Sequence, residues 1–224
     1  MYISTREAKR EQEILREKIS ISPLDKKVKT VAGSDISYDK GSKKVYAGVV
    51  VLGLPGLEQL ARAAVVTKVD FPYIPGLLAY RELPPLQEAW KQLKIVPDVL
   101  IMDGHGIAHP RRMGIATHFG ILEDQPAIGC AKNNLTGNFE EPEPEKGSYR
   151  YVRDNEERIG IVLRSRTNVQ PIFVSPGHKV SFRDSREIVM QCLTKYKLPE
   201  TTRMAHDLVN QLRRGEAEPG YIEF

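Results

Sequence analysis

The stretch DVLIMDGHGIAHPRRMGIATHFGIL, residues 98 to 122, decides the fold. Its first six residues form a short, continuous apolar run, which is typical of a parallel strand buried on both faces. RRMGIATHFGIL predicts the helix that follows, and PAIGCAK, residues 126 to 132, predicts a second buried strand. Alternation of strand and helix indicates the parallel part of an α/β sheet.

The chain before this stretch predicts a helix, three strands and a second helix. STREAKREQEILREKIS is amphipathic, and Ser4 and Glu7 fit a capping box. KVKTVAGSDISY reads as a strand that ends near Asp35, and KKVYAGVVVLGL and LARAAVVTKVDF read as two more. Their short connectors predict an antiparallel meander. The helix after FPYIP carries Leu86 and Trp90 on one side.

The chain after this stretch predicts a polar loop, two strands and two helices. The loop is NNLTGNFEEPEPEKGSYR, the strands are RIGIVLRS and PIFVSPGH, and both helices lie near the C-terminus. We therefore predict an α/β fold with a ribonuclease-H-like mixed sheet, in which parallel strands follow three antiparallel ones and helices flank the sheet. No repeat or linker divides residues 1–224, so we expect a single domain.

Composition indicates a globular protein of the cytoplasm. The 224 residues are 41% hydrophobic and 28% charged, and their apolar runs are too short and broken to span a bilayer. The first residues are polar rather than signal-like, and two cysteines make no disulfide framework. A net charge of +4 favours a polyanionic partner, but only weakly.

Three acidic residues are candidates for metal-ion chemistry. Asp35 and Asp103 each close an apolar strand, where an ionised carboxylate is costly unless something compensates it. Glu82, on the helix AYRELPPL, can point at the same crevice. Three carboxylates without a nearby thiol suit Mg²⁺ or Mn²⁺, which polarises phosphoryl groups and activates water. Loop-capping aspartates and a solvated glutamate are the alternative.

Several basic residues surround Asp103 in the sequence. His105 and His109 have the spacing of a zinc motif, but the glycines and the proline around them argue against a helix there. Arg111 and Arg112 follow Pro110 at a predicted helix N-terminus, which favours anions. Lys132 should emerge at the same sheet edge as Asp103 and could hold a phosphate. For each residue, a plain surface or loop role remains the alternative.

Five segments together closely resemble the endonuclease V family. They are GSDISY, PYIPGLLAYRE, MDGHGIAHPRRMGIATHFG, GCAKNNLTG and VSPGHKVS, which stand in the family's order and spacing over nearly the whole chain. The resemblance implies a ribonuclease-H-like nuclease that uses Mg²⁺, with Mn²⁺ able to substitute. It implies a monomeric DNA repair enzyme that recognises deoxyinosine. Such an enzyme cuts the second phosphodiester bond 3′ to the lesion and leaves a 3′-hydroxyl and a 5′-phosphate.

The resemblance also implies roles for particular residues. Asp35, Glu82 and Asp103 match the metal-holding catalytic carboxylates, and Lys132 matches a lysine near the scissile phosphate. His206 matches a catalytic position that is histidine in some relatives and aspartate in others, so the neighbouring Asp207 leaves the register open. The remaining matches are the wedge Pro72, Tyr73, Ile74 and Pro75, the strand-contacting His109, Arg111 and Arg112, and the base pocket Gly76, Leu78 and Gly104.

Three other functions share these features. An endoribonuclease specific for inosine in RNA would use the same site, and the polymer is distinguished by a 2′-hydroxyl contact. A lesion-binding protein without catalysis has no need for three desolvated carboxylates. A junction-resolving nuclease on the same fold has no need for PYIP and its adjoining glycines.

Overall fold

The computed structural model describes residues 3–39 and 41–224 and places their strands in one mixed sheet. The helices are α1 Thr5–Arg16, α2 Leu78–Trp90, α3 Ile115–Leu122, α4 Phe182–Gln191 and α5 Glu200–Arg214. The strands are β1 Thr30–Tyr38, β2 Lys44–Gly53, β3 Gln59–Lys68, β4 Val99–Asp103, β5 Ala127–Ala131, β6 Tyr149–Asp154, β7 Glu157–Leu163, β8 Ile172–His178 and β9 Gly220–Glu223. Their order across the sheet is β6-β7-β8-β5-β4-β1-β2-β3-β9, and the predicted ribonuclease-H-like mixed sheet is confirmed.

The parallel part of the sheet lies at its centre. β4 pairs in parallel with β1 on one side and with β5 on the other. β1, β2 and β3 form the predicted antiparallel meander, whereas β8 returns antiparallel beside β5. The carboxyl ends of β1, β4 and β5 therefore meet at one edge, which is where open α/β sheets place ligands.

Helices cover both faces of the sheet. One apolar cluster joins α4 and α5 to the sheet, and a second joins α2 and α3 to the opposite face. α5 approaches β1 closely because Gly33 has no side chain, since a Cβ there would lie 2.1 Å from the carbonyl oxygen of Thr201. This contact brings the next turns of α5 over the end of β1.

The structure moves two predicted boundaries. β1 does not end near Asp35 but continues to Tyr38, because β2 pairs with it along its whole length while its pairing with β4 stops at Ser34. α3 begins at Ile115 rather than at Arg111. Arg112 has a φ of 60°, which a right-handed helix does not accept, so residues 110–114 form a turn instead.

Two strands were not predicted. β6 begins at the last two residues of the segment predicted as a loop and continues to Asp154, and β9 pairs with β3 at the edge of the sheet near the C-terminus. α1 has the predicted capping box at Ser4 and Glu7. Cys130 and Cys192 are buried and unlinked, as expected. Among the described residues, no helix has the length and apolarity that crossing a membrane requires.

Candidate active site and adjoining pocket

The two strand-end aspartates come together as predicted. Ser34 of β1 lies opposite Met102 of β4, so Asp35 and Asp103 occupy the next positions along adjacent parallel strands. Both are partly buried, with side chains 17% and 30% exposed. Two carboxylates at this spacing repel one another, and the pKa of Asp35 reflects it. Burial raises that pKa, hydrogen bonds from Ile36 and His206 lower it, and Asp103 raises it again.

Glu82 lies on α2, which packs on the same face of the sheet as α3, and its charge interacts with both aspartates. Burial raises its pKa to about 7, and the charges of Asp35 and Asp103 add to that rise. Tyr38, at the end of β1, donates a hydrogen bond from its hydroxyl to Glu82 Oε1 at 3.1 Å and partly offsets it. The three predicted carboxylates therefore share one electrostatic environment with an unfavourable excess of negative charge.

Lys132 stands where the sequence predicted, directly after β5. Its Nζ lies 3.3 Å from Asp103 Oδ2, and its side chain is 52% exposed. An ion pair this exposed contributes little to stability. The ammonium is thus held at the sheet edge beside the carboxylates and can still reach an anion.

His206 faces Asp35 from α5, which resolves the register. Its Nδ1 lies 2.8 Å from Asp35 Oδ2. Asp207 instead pairs with Arg203 at 2.7 Å on the outside of the helix. Of the two neighbouring residues that the sequence left open, His206 is therefore the one that contacts Asp35.

Asn210 fixes the tautomer of that histidine. Its Oδ1 accepts hydrogen bonds from Ser37 Oγ and from Arg213. Its Nδ2 therefore faces His206, at 3.0 Å from Nε2 and 2.9 Å from the backbone oxygen. Because Nδ2 donates to Nε2, the ring proton of neutral His206 lies on Nδ1 and is donated to Asp35. Both ring nitrogens are occupied.

Residues 3–39 and 41–224 contain no three His, Cys, Asp or Glu groups that converge closely enough to hold a metal ion. Each carboxylate is turned toward its own partner, which is His206 for Asp35, Tyr38 for Glu82 and Lys132 for Asp103. The donor set nevertheless fits a hard divalent cation, because it consists of carboxylate oxygens whose mutual repulsion a cation would relieve.

A largely apolar cavity of about 170 Å³ has Gly104, the residue directly after Asp103, in its lining. It is lined by two segments, residues 73–79 and residues 104–115, together with Leu135. The predicted pocket residues Gly76, Leu78 and Gly104 are among its lining. Gly76 has a φ of 76°, a left-handed conformation in which a side chain would be strained and would meet the guanidinium of Arg111 at 2.9 Å.

The PYIP segment projects at the mouth of this cavity. Tyr73 is 68% exposed, and Tyr73, Ile74 and Pro75 all contribute to the cavity lining. Arg81 donates to the carbonyl of Phe71, the residue before Pro72, at 2.9 Å. An exposed aromatic ring between two prolines and on a braced base is a suitable shape for entering a stack of bases.

The histidine and the arginine pair stand elsewhere than predicted. His109 is only 3% exposed and lines the cavity, and burial lowers its pKa to about 4, so it is neutral at pH 7. Arg112 is 8% exposed, and its guanidinium binds Glu157 and Asp154 at 2.6 and 2.8 Å.

Arg111 donates to Gln12 and to the carbonyl of Gly76, each at 2.6 Å. The two guanidiniums thus have protein partners already, and neither lies at a helix N-terminus. The predicted helix N-terminus is wrong for both residues, because α3 begins only at Ile115. Two carboxylates compensate the charge of Arg112, whereas Arg111 is bound only by uncharged groups. Their contact with a nucleic-acid strand stays a prediction.

Three residues of this region were missed by sequence reasoning. Asn210 stands four residues after His206 on α5, and that helical spacing was an available signal. Gln12 shares the buried face of α1 with Ala8 and Leu15, so a polar residue interrupting an apolar stripe was a signal too. For Tyr38 there was no local signal, because only the extra length of β1 brings it to Glu82.

Comparison with known proteins gives a consistent result. A family model described as endonuclease V matches residues 13–207. The endonuclease V of Rippkaea orientalis is 47% identical over 207 residues, which cover 92% of this chain and 90% of that protein. The solved structure of endonuclease V from Streptomyces avermitilis has a TM-score of 0.90 and 36% identity, and the match covers 96% of each chain.

A structure from another organism includes nucleic acid. Endonuclease V of Ciona intestinalis was solved in complex with a 24mer DNA containing an inosine followed by a ribo-adenosine. That structure has a TM-score of 0.85 and 31% identity, and the match covers 95% of this chain and 98% of the other.

Proposed function

The chain belongs to the endonuclease V family of nucleases, and from that premise we propose that it is a DNA repair endonuclease specific for deoxyinosine. It would act as a monomer and hydrolyse the second phosphodiester bond 3′ to the lesion, leaving a 3′-hydroxyl and a 5′-phosphate. The observation that carries the proposal is the group of three interacting carboxylates, Asp35, Asp103 and Glu82, together with an apolar cavity that begins at Gly104, next to Asp103, and includes the exposed Tyr73 in its lining.

Asp35, Asp103 and Glu82 would hold a divalent cation, Mg²⁺ or Mn²⁺. When bound, such a cation polarises a phosphoryl oxygen and lowers the pKa of water. Glu82, whose pKa lies at about 7 without a cation, must release its proton for the site to fill. His206 would position Asp35, because its Nδ1 lies 2.8 Å from Asp35 Oδ2 and Asn210 holds its other ring nitrogen.

Lys132 would bind the scissile phosphate. Its ammonium lies beside Asp103 at the sheet edge. Because that ion pair is exposed and weak, replacing Asp103 by a phosphate oxygen as its partner would cost little free energy. A lysine ammonium also stabilises the negative charge that develops on the phosphoryl group during cleavage. These two effects explain a lysine immediately after a buried central strand.

The cavity would take the extruded base, and PYIP would fill the space it leaves. Extraction costs a few kcal/mol, less for a mispaired lesion. Hypoxanthine presents a C6 carbonyl that backbone N–H groups along Gly76 and Leu78 can read, and a tight pocket excludes the extra amino group of guanine. The complex of the Ciona intestinalis enzyme with inosine-containing DNA supports DNA as the polymer.

Inosine in RNA is the second candidate substrate. It is favoured by one observation, the ribo-adenosine that follows the inosine in the Ciona intestinalis complex. In that case the chemistry at Asp35 and Asp103 would be unchanged, and contacts to a 2′-hydroxyl would select the polymer.

The test is cleavage of end-labelled duplexes that hold one deoxyinosine or one riboinosine, with Mg²⁺ or with EDTA. We expect a Mg²⁺-dependent nick one nucleotide beyond deoxyinosine, which Asp35→Ala abolishes. Cutting only at riboinosine would transfer the function to RNA. Tight binding to the lesion with no cut in Mg²⁺ or Mn²⁺ would overturn the nuclease assignment.

A further inference from the structure

Gln12 is a fully buried polar residue in a helix that otherwise turns apolar side chains inward. It is 0% exposed and lies on α1 between Ala8 and Leu15. A buried amide is costly unless its hydrogen-bonding groups are satisfied. Its partners are therefore informative, and they all belong to the surroundings of the cavity.

The side chain of Gln12 joins the two segments that line the cavity. Its Nε2 is within reach of the carbonyl of Gly76 at 3.3 Å and that of Met113 at 3.4 Å. Gly76 belongs to the segment that continues from PYIP, and Met113 belongs to the turn before α3. Gly76 and Met113 lie 37 positions apart in the chain.

Arg111 completes this arrangement. Its Nε donates to Gln12 Oε1 and its Nη2 donates to the carbonyl of Gly76, both at 2.6 Å. Gln12, Arg111 and Gly76 thus form a closed triangle of hydrogen bonds, which we call the Gln12 clamp. The clamp thus fixes the left-handed backbone at Gly76 through two hydrogen bonds to its carbonyl oxygen.

We propose that Gln12 is a positioning residue that sets the spacing of the base pocket and thereby the selectivity for inosine. The inference rests on the proposed function, since it assigns the cavity to the extruded base. A pocket that discriminates bases through backbone groups needs its backbone fixed to within a fraction of an ångström. Gln12 provides that constraint from α1 without touching the ligand.

The chemistry of the amide explains why a glutamine is required. It donates to two carbonyls and accepts from a guanidinium at once. Gln12→Glu keeps the acceptor for Arg111 but loses the donor to Gly76 and Met113. Gln12→Leu keeps the volume but removes the partner of Arg111 Nε and of the Met113 carbonyl, whereas the Gly76 carbonyl keeps its hydrogen bond from Arg111. In Gln12→Glu the acceptor for Arg111 remains, so the two variants separate the contact with Arg111 from the bridge to Met113.

A purely structural role for Gln12 is tested with a matched control. Leu15→Ala removes a buried side chain from the same helix, away from the cavity lining, and should lower thermal stability as well. Single-turnover cleavage and equilibrium binding are measured for all variants below their unfolding temperatures. Duplexes with deoxyinosine and undamaged duplexes of the same sequence are compared in Mg²⁺, and in Ca²⁺ for binding.

We expect both Gln12 variants to lose about tenfold in preference for the deoxyinosine duplex, mostly in Kd, while the cleavage rate of bound lesion stays within about threefold. Leu15→Ala should keep the wild-type preference. Unchanged selectivity in the Gln12 variants, or an equal loss in Leu15→Ala, would overturn the inference alone. A wild type that does not distinguish deoxyinosine would overturn the proposed function and this inference with it.

Discussion

The turn at residues 110–114 and the nearby strand ends differ in how their buried charges are compensated. In the turn, Arg112 is enclosed by Asp154 and Glu157, so its charge is compensated within the protein. At the strand ends, Asp35 and Glu82 lie near a third carboxylate, and their pKa values are raised. One region has its charge compensated by the protein, whereas the other has an excess of negative charge that the proposed cation would neutralise.

This difference separates a structural charge from a functional one. Buried ion pairs with ideal partners fix a conformation, whereas desolvated like charges are destabilising and persist where chemistry needs them. In the sequence, the arginine pair is as prominent as the two aspartates. Only the partners, brought from distant parts of the chain, reveal which group is free to act.

The largest expected effect is loss of cleavage at the uncompensated region. Asp103→Asn removes one negative charge from the proposed cation site and should lower nicking of a deoxyinosine duplex by at least about 10³-fold, because the cation contributes several kcal/mol. The protein should unfold at an unchanged or higher temperature. Asp207→Asn, an exposed aspartate paired with Arg203, is the matched control and should stay within about twofold.

Breaking the compensated region should affect stability first. Arg112→Ala removes a buried guanidinium and its hydrogen bond to the His109 carbonyl, while Asp154 and Glu157 stay partly exposed to water. It should lower the free energy of unfolding by about 1 to 2 kcal/mol in a urea titration. Arg166→Ala, at an exposed position, should change it by less than about 0.5 kcal/mol. Equal stability of the Arg112 variant and wild type would contradict a structural role for this guanidinium.

Glu82→Gln should show that the uncompensated charge is functional rather than structural, because the variant should be more stable than wild type without a cation and yet unable to cleave. The pKa of Glu82 is raised from 4.5 to about 7, so the folded state holds this proton more tightly than the unfolded state. The resulting stability is present below pH 4.5 and is lost as pH rises through 7. At pH 8, we expect the variant to melt about 5 °C higher than wild type without a cation. A lower melting temperature of the variant than of wild type at pH 8 would contradict the claim that the ionised Glu82 carboxylate destabilises the folded protein.

The smallest expected effect concerns the tautomer of His206. Asn210→Ala removes the donor to Nε2, so the ring proton can redistribute between the two nitrogens. Long-range ¹⁵N–¹H spectra should show His206 as an Nδ1–H tautomer in wild type and as a mixture in the variant, with cleavage reduced about fivefold. Gln211→Ala, its exposed neighbour, should resemble wild type in both readouts. An Nε2–H tautomer in wild type would exclude the proposed positioning role.

The sequence predicts those parts of the site that follow from local pattern and strand order. The apolar runs before Asp35 and Asp103 indicate adjacent strands, and adjacency alone brings the two carboxylates together. The same reasoning places Lys132 at that edge. These positions are determined by backbone pairing, for which the pattern of apolar residues is a direct signal.

The sequence does not predict the partners that decide what each polar group does. Arg112 meets acidic residues 42 and 45 positions later in the chain, and Arg111 meets Gln12 from 99 positions earlier. The extension of β1 to Tyr38 depends on the full length of β2, and β9 is added by pairing at an edge. Neither these side-chain contacts nor these strand pairings produce a periodic pattern in a single sequence.

The central claim is that the three carboxylates are completed by a divalent cation, and calorimetric titration of Mg²⁺ into the protein at pH 7 tests it most directly. The account predicts saturable binding whose heat depends on the buffer, because Glu82 releases its proton as the cation enters. The variant carrying Asp35→Asn and Asp103→Asn should not bind. Equal binding by that variant and wild type, or no binding of Mg²⁺ or Mn²⁺ by wild type, would contradict the account.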